Sequence, residues 1–400
     1  MFFGRSKPTI DTNEAKIKEA LSRGVDRIVD EDKLKEKMKA GKQLRVKLGI
    51  DPTSPDIHLG RATQLLKLRD FQELGHKIIL IVGDATGVIG DTSDKESERP
   101  MLSRAEVSKN AEKYFEQAGK VLDLGNVEKV YNSKWLDALT FAEIGKQANA
   151  FSIADFIARE NIKKRLDEGK RVSLRETLYP LMQGYDSVEV RADVEIGGTD
   201  QWFNLLAGRT LQELYGQEPQ SVITNTLISG LDGRKMSSSW GNTIVLTAEP
   251  NDMYGKVMSL NDELMKEYFV TCTRVPIPEI GKIISGDPKH AKMRLAREIV
   301  TFYYGKEKAD SAEQNFENTF KKGGVSSDAE EVIAASGTPL SEVLLEANVV
   351  DSKNELRRLV AGGAVTNMDT GKKVGDMHEP ISSDTTLKVG KRRFVKVRIQ

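Results

Sequence analysis

The stretch "LRVKLGIDPTSPDIHLGRATQLLKLRDFQELGHKIILIVG", residues 44–83, decides the fold class. Val46, Leu48 and Ile50 alternate along its first segment, as in a strand. After a Pro-rich turn, Leu65, Leu68, Phe71 and Leu74 recur at mostly helical spacing and the pattern stops at Gly75. The closing "KIILIVG" is a continuous apolar run, the mark of a strand buried on both faces. Strand, helix and strand in this order make a βαβ unit, whose crossover is right-handed and whose ligand sits beyond the C-terminal strand ends. The fold class is α/β, with a parallel sheet.

Working outward, Ser103 and Glu106 in "SRAE" stand at capping-box spacing and open a largely helical stretch that runs to about Gly169. A second βα unit follows in "VEIGGTDQWFNLLAGRTLQELYG", with "VEI" as a short strand, "GGTDQ" as a tight loop, and Thr199 or Asp200 as the helix cap. "SVITNTLI" reads as a strand and leads into the polar loop "SGLDGRKMSSSWGN", where Asp232-Gly233 marks a turn. The pattern is helical from about 249 to 325, and "KKGGVSSDAEEVIAASGTP" reads as a linker with room for a short helix in its middle. Residues 338–400 combine the helical "SEVLLEANVV" and "SKNELRRLVAGG" with short strands ending in "RRFVKVRI". The chain has no internal repeat and no low-complexity tract.

A chain of 400 residues, 38% hydrophobic and 30% charged, fits two or three domains of a water-soluble protein. No apolar run has the length of a membrane span, and "MFFGRSKPTIDTNEAK" lacks the apolar core of a signal peptide, so a cytoplasmic location is expected. One cysteine, Cys272, and four histidines give neither an internal disulfide nor a structural zinc pattern. No protein-held metal is expected, and magnesium would arrive with a nucleotide. Basic and acidic residues balance at 60 each, which excludes a polycation. The last fifty residues depart from that balance, with eleven basic against six acidic side chains, so any nucleic-acid contact is expected there.

Thr53 and His58 lie where a strand's C-terminal end meets a helix N-terminus, and free N–H groups there favour an anion. A hydroxyl and a neutral or protonated imidazole are suited to donate to a phosphoryl oxygen as charge develops. A lone H-L-G in a Pro-rich turn equally fits an ordinary surface histidine. "RKMSSS", Arg234 to Ser239, is a second such loop. By itself it is a flexible loop; on the same sheet as His58, its lysine and hydroxyls suit closure over a triphosphate and the departing pyrophosphate. In "YPLMQGYD", Tyr179, Gln183 and Asp186 fall at i, i+4 and i+7 on one helix face, with Pro180 suited to the first turn. That face is either solvated or, given Leu178, Leu181, Met182 and Val188 around it, buried and in need of a small polar ligand. Asp91 in "GDATGVIGD" is a carboxylate for an ammonium group, or a plain turn aspartate.

Together "GIDPTSPDIHLG", "VGDATGVIGD", "YPLMQGYDS" and "IGGTDQWFN" resemble bacterial tyrosyl-tRNA synthetases, which are class I aminoacyl-tRNA synthetases. "HLGR" resembles their HIGH signature and "KMSSS" their KMSKS signature. These motifs span roughly residues 30 to 245, and "SKNELRRLVAGGAV" with "LKVGKRRFVKV" resembles the S4-type RNA-binding domain. The resemblance implies a Rossmann-like parallel-sheet catalytic domain with a helical insertion over 1–247, an α-helical anticodon-recognition domain over 248–325, and a small α+β S4-like domain over 338–400.

It further implies that L-tyrosine attacks the α-phosphate of ATP to give tyrosyl-adenylate and pyrophosphate, and that the tyrosyl group then passes to the 3′ end of tRNA(Tyr). Thr53, His58 and Lys235 match the residues that act on the phosphates. Asp91, Tyr179 and Gln183 match positions holding the tyrosine ammonium, Asp186 the one meeting the phenol, and Gln201 another polar group of that site. Gly49, Asp51, Gly60, Arg61, Gly198, Asp200, Met236, Ser237 and Ser238 match the ATP and adenylate site, with Asp200 at the ribose. Lys353, Arg357, Arg358, Lys388, Lys391 and Arg392 are either an ordinary solvated charged face or a phosphate-binding surface for structured RNA. The family also implies a homodimer.

Three positions depart from the pattern. Arg61 replaces the second histidine of HIGH, Ser238 replaces the second lysine of KMSKS, and Lys47, expected among the tyrosine-binding residues, stands where many members place a tyrosine opposite the substrate hydroxyl. Tryptophanyl-tRNA synthetase and a catalytically lapsed RNA-binding relative are the rival readings. "YPLMQGYD" argues against the first, and the retained Thr53, His58 and Lys235 against the second.

Overall fold

The structure is a computed structural model that describes residues 9–91, 102–321, 330–347, 349–390 and 393–400. Two compact units are present. The first runs through Glu249 and again from Lys256 to Tyr303; the second comprises Pro250–Gly255 and Tyr304–Gln400. No described helix is long and apolar enough to cross a membrane.

The first unit is built on a six-stranded sheet of β1 (Val25–Val29), β2 (Arg45–Ile50), β3 (Lys77–Val82), β4 (Val127–Tyr131), β5 (Val194–Gly198) and β6 (Ser221–Asn225), in the order β1-β6-β5-β2-β3-β4. Only the β1–β6 pair is antiparallel. Residues 44–83 fold as expected, with the Leu59–Glu73 helix crossing between β2 and β3. Ile78 to Val82 are all buried, in keeping with their continuous apolar character. From β2 the chain steps outward to β3 and β4, whereas β5 and β6 lie on the other side. The switch point therefore falls between β2 and β5, and the crevice beyond their C-terminal ends is where this topology opens a ligand site.

Several elements differ from the sequence reading. β4 lies inside the stretch read as largely helical, and β1 adds an antiparallel edge; both are short strands with mixed burial that borrow their pairing from the sheet interior. The helix Arg175–Glu189 begins before Pro180, so this proline lies past the first turn. The early start has a cause: the buried Glu176 carboxylate takes the Ser173 N–H at 2.9 Å and the Arg165 guanidinium at 2.6 Å. Neither Thr199 nor Asp200 caps the next helix. A 3-10 turn, Thr199–Gln201, intervenes, and the Trp202–Leu214 helix starts from Gln201 with no side-chain cap bond. The expected capping box at Ser103 and Glu106 is present.

In the second unit, β7 (Glu330–Ala334), β9 (Val365–Asn367), β11 (Thr385–Val389) and β12 (Arg393–Ile399) form a sheet in the order β7-β12-β11-β9, and β8 (Thr338–Pro339) pairs with β10 (Pro380–Ile381). β7 occupies the middle of the segment read as a linker, where a short helix was expected; it is a strand instead because Val332 and Ala334 pack on the core formed by Leu344, Leu356, Leu387, Val389, Val395 and Val397. Residues 322–329, in the first half of that segment, lie outside the described residues. The Lys353–Ala361 helix buries Leu356 against the same core and leaves Lys353, Arg357 and Arg358 exposed.

Candidate active site

A cleft of about 850 Å³ opens beyond the C-terminal ends of β2 and β5. It is lined by residues from both signature loops and from the Arg175–Glu189 helix.

At one end, β2 leads through Asp51 and Thr53 to His58, the N-terminal boundary of the Leu59–Glu73 helix, which makes no side-chain cap bond there. The imidazole is buried, and its Nδ1 has no hydrogen-bond partner among the described residues. Burial, then the charges of Arg61 and Lys235, pushes its pKa down to about 3. Of the neutral and protonated forms left open by the sequence, neutral imidazole is the one this environment favours. Glycine at position 60 makes room for the ring, since a Cβ there would stand 3.0 Å from His58 Nδ1.

The second loop is tied to the first by backbone. Leu59 N–H donates to the Ile244 carbonyl at 2.8 Å and Leu246 N–H to that of Ile57 at 2.8 Å, flanking a bridge between His58 and Val245. Gly60 N–H reaches the Met236 sulfur at 3.2 Å. The loop's shape rests on buried Asn242, whose Oδ1 accepts from Ser237 N–H at 2.9 Å and whose Nδ2 donates to Asp232 at 2.7 Å. Lys235 Nζ pairs with Asp200 Oδ2 at 2.7 Å. Arg61 donates to the Tyr114 hydroxyl and stands 3.4 Å from Thr53 Oγ1, so the residue replacing the second HIGH histidine is held in the cleft as a fixed cation.

At the other end, Tyr179, Gln183 and Asp186 project into the cleft from one helix face, as their spacing requires. Tyr179 donates to Asp51 Oδ2 at 2.8 Å, and Asp51 Oδ1 takes the Thr86 hydroxyl at 2.7 Å. Burial and the negative charge of Asp51 raise the Tyr179 pKa well above its usual value, so the phenol stays protonated. Asp186 accepts Trp135 Nε1–H at 2.8 Å and Asn132 Nδ2–H at 3.3 Å. Burial pushes its pKa up to about 7, against the opposing pull of Lys47 and those two bonds. Gln201 donates to Asp91 Oδ2 at 2.6 Å, which places both side chains at the same wall.

Gly49, Asp51, Thr53, His58, Gly60, Arg61, Asp91, Tyr179, Gln183, Asp186, Asp200, Gln201, Lys235, Met236, Ser237 and Ser238 thus share one cleft. Lys47 and Gly198 do not line it. Lys47 is fully buried and turned away, its ammonium 3.1 Å from Glu195 Oε1 and 3.1 Å from the Gln183 carbonyl. Gly198 ends β5 behind Asp200. In the second unit, Lys388 lies over the Phe394 ring at 5.7 Å, while Lys391 and Arg392 lie outside the described residues. Tyr114, Asn132, Trp135, Glu195 and Asn242 were not singled out from the sequence. Their roles arise from chain crossings that no local spacing reveals.

The chain is 45% identical over 397 residues to the tyrosine–tRNA ligase of Carboxydothermus hydrogenoformans, spanning 95% of this chain and 97% of that one. It is 42% identical over 395 residues to that of Thermotoga maritima, spanning 96% and 98%. Among solved structures, a C-terminally truncated mitochondrial tyrosyl-tRNA synthetase of Aspergillus nidulans superposes with a TM-score of 0.65 at 22% identity, covering 77% of this chain and 95% of that one. The Archaeoglobus fulgidus tyrosyl-tRNA synthetase complexed with L-tyrosine gives 0.61 at 21% identity, covering 76% and 100%. At these identities the two structures establish the shared fold. Residues 38–321 match the family described as tRNA synthetases class I (W and Y), and it is to this family that the chain belongs.

Proposed function

We propose that this enzyme is a tyrosine–tRNA ligase. The observation that carries the proposal is the meeting, in one cleft, of a phosphate end made by two tied loops and an amino-acid end made by Tyr179, Gln183, Asp186, Asp91 and Gln201. The tyrosine carboxylate oxygen attacks the α-phosphorus of ATP, the bond to pyrophosphate breaks, and tyrosyl-adenylate forms. A ribose hydroxyl at the 3′ end of tRNA(Tyr) then attacks the activated carbonyl and AMP leaves.

Each group has a task set by its chemistry. The neutral His58 ring and the Thr53 hydroxyl donate to phosphoryl oxygens as charge builds, and Arg61 supplies a fixed positive charge beside them. Lys235 exchanges Asp200 for the departing pyrophosphate, which frees the Asp200 carboxylate for the ribose hydroxyls. Gly49, Gly60, Met236, Ser237 and Ser238 line the nucleotide's path. Asp91, Tyr179, Gln183 and Gln201 receive the amino acid's polar head, and Asp186 accepts the phenolic proton, held in place by Trp135 and Asn132.

ATP would enter with its magnesium ion, so chelation with EDTA is expected to abolish adenylate formation in the exchange assay. The three-part division at 247 and 325, anticodon recognition by the 248–325 helices, a cytoplasmic location and RNA contact through Lys353, Arg357, Arg358, Lys388, Lys391 and Arg392 belong to the same reading. So does a homodimer, supported by exposed apolar side chains concentrated at Phe141, Ile153, Ile157, Leu166, Leu174 and Leu178. Pyrophosphate exchange into ATP, measured with each standard amino acid separately, tests the core of it. Tyrosine-dependent exchange is expected; exchange with tryptophan alone, or none from folded protein, overturns it.

A further inference from the structure

Behind the amino-acid end of the cleft lies a buried polar cluster built on register. Lys47 of β2 and Glu195 of β5 are direct partners across the parallel pairing, and both side chains are 1% exposed. Four donors converge on the Glu195 carboxylate. Lys47 Nζ and Gln183 Nε2 each stand 3.1 Å from Oε1, while Ser187 Oγ at 3.2 Å and Gln220 Nε2 reach Oε2. The cluster is packed without slack, since a Cβ on Gly208 would come within 2.6 Å of both Ser187 Oγ and Gln220 Nε2.

One of those donors also belongs to the cleft. A glutamine amide has a donor end and an acceptor end, and its neighbours decide which end faces where. An ionised carboxylate only accepts, so Glu195 must take the nitrogen of Gln183. The oxygen is left for the opposite side, and among the described residues nothing donates to it. A substrate ammonium group has only donors and requires such an acceptor.

We propose that Glu195 is a positioning residue for amino-acid recognition: by accepting from the Gln183 amide nitrogen it fixes the Gln183 carbonyl oxygen as the acceptor for the substrate's ammonium, while its register partner Lys47 balances its charge. The inference rests on the tyrosine reading above and names how that site reads the amino group. It also gives Lys47 a task different from the substrate contact expected of it. Were position 195 a glutamine, two facing amides could turn over together and the preference would be lost.

The test is Glu195→Gln, nearly isosteric, assayed by tyrosine-dependent pyrophosphate exchange with two competitive inhibitors. Tyramine keeps the phenol and the ammonium; 3-(4-hydroxyphenyl)propionate keeps the phenol and the carboxylate but has no ammonium. The variant is expected to raise KM for tyrosine and Ki for tyramine about tenfold, the worth of one hydrogen bond to a charged group, leaving Ki for the propionate and KM for ATP within about twofold. Equal weakening of both inhibitors, or no change in tyramine binding, overturns the proposal.

Because the single variant leaves Lys47 buried without its anion, Lys47→Met/Glu195→Gln is measured beside it. The double variant is expected to recover the melting temperature and not the tyramine affinity. Recovery of both overturns the proposal, since Glu195 would then serve only to neutralise Lys47. Absence of tyrosine-dependent exchange in the unaltered enzyme brings down the tyrosine reading and this proposal together, whereas normal exchange by both proteins brings down this one alone.

Discussion

The two ends of the cleft are made by opposite means. At the phosphate end the side chains ride on loops and hold one another through exchangeable contacts: an ion pair between Lys235 and Asp200, a thioether over the Gly60 amide, and an imidazole with one nitrogen unpartnered among the described residues. At the end proposed for the amino acid, Tyr179, Gln183 and Asp186 ride on one helix and each is bonded to a protein neighbour: Tyr179 to Asp51, Gln183 to Glu195, and Asp186 to Trp135 and Asn132. On the proposed reading, the first arrangement leaves groups ready for charge that appears only during reaction. The second fixes a shape that a substrate either fits or does not. Stabilising a transition state and choosing a ground state are different tasks, and only the former raises kcat.

Breaking the phosphate end should give the largest effect. His58→Ala is expected to lower kcat for pyrophosphate exchange on the order of 10²–10³-fold, as loss of an oxyanion donor does, while KM for tyrosine moves by less than about threefold. A comparable rise in that KM would erase the distinction between the two ends. Next comes Asp186→Ala, for which steady-state kinetics should show kcat/KM for tyrosine falling about 10–100-fold through loss of a bond to a charged acceptor. Unchanged tyrosine kinetics would remove Asp186 from the site.

A third variant leaves both ends intact. Replacing Lys353, Arg357 and Arg358 together by alanine should weaken tRNA charging about tenfold and flatten its salt dependence by about two to three ion equivalents, with pyrophosphate exchange unaltered. Full charging at every salt concentration would take these residues off the RNA surface.

The smallest effect concerns protons. Asp186 has its pKa raised to about 7 by burial, so below that pH the folded enzyme holds a proton that the unfolded chain, with an ordinary carboxyl near 3.8, has released. The sign follows: this group's contribution to stability declines as pH rises from about 4 to about 7. Over the upper part of that range KM for tyrosine should fall a few-fold, because the ionised carboxylate accepts the phenolic proton. Asp186→Asn should flatten both profiles, and a sloping KM profile retained in that variant would assign the titration elsewhere.

The contrast between the ends also governs what could be read from the sequence. Thr53, His58 and Lys235 sit in contiguous motifs, and Tyr179, Gln183 and Asp186 repeat at a helical period, so their grouping at one cleft was legible, while their roles came from the family resemblance alone. Lys47 was read as facing the substrate. Its alternation along β2 was plain, but Glu195, the partner that draws it inward, is set by strand register across a crossover. Asn132 and Trp135 follow β4, an edge strand whose pairing supplied what its own sequence did not advertise. Pro180 and the Thr199–Asp200 cap went astray for a related reason: a buried carboxylate and an intervening 3-10 turn, both tertiary in origin, reset the helix starts.

The loop carrying Lys235 is pinned at both ends, by the pairing of Ser229 with Lys235 and of His58 with Val245. It is therefore a hoop of fixed circumference. Its chemistry can change bead by bead, as the serine at position 238 illustrates, provided that the number of beads does not. An added or deleted residue between those pins would slide every side chain past its station above the cleft, so such a hoop tolerates substitution far more readily than a change of length.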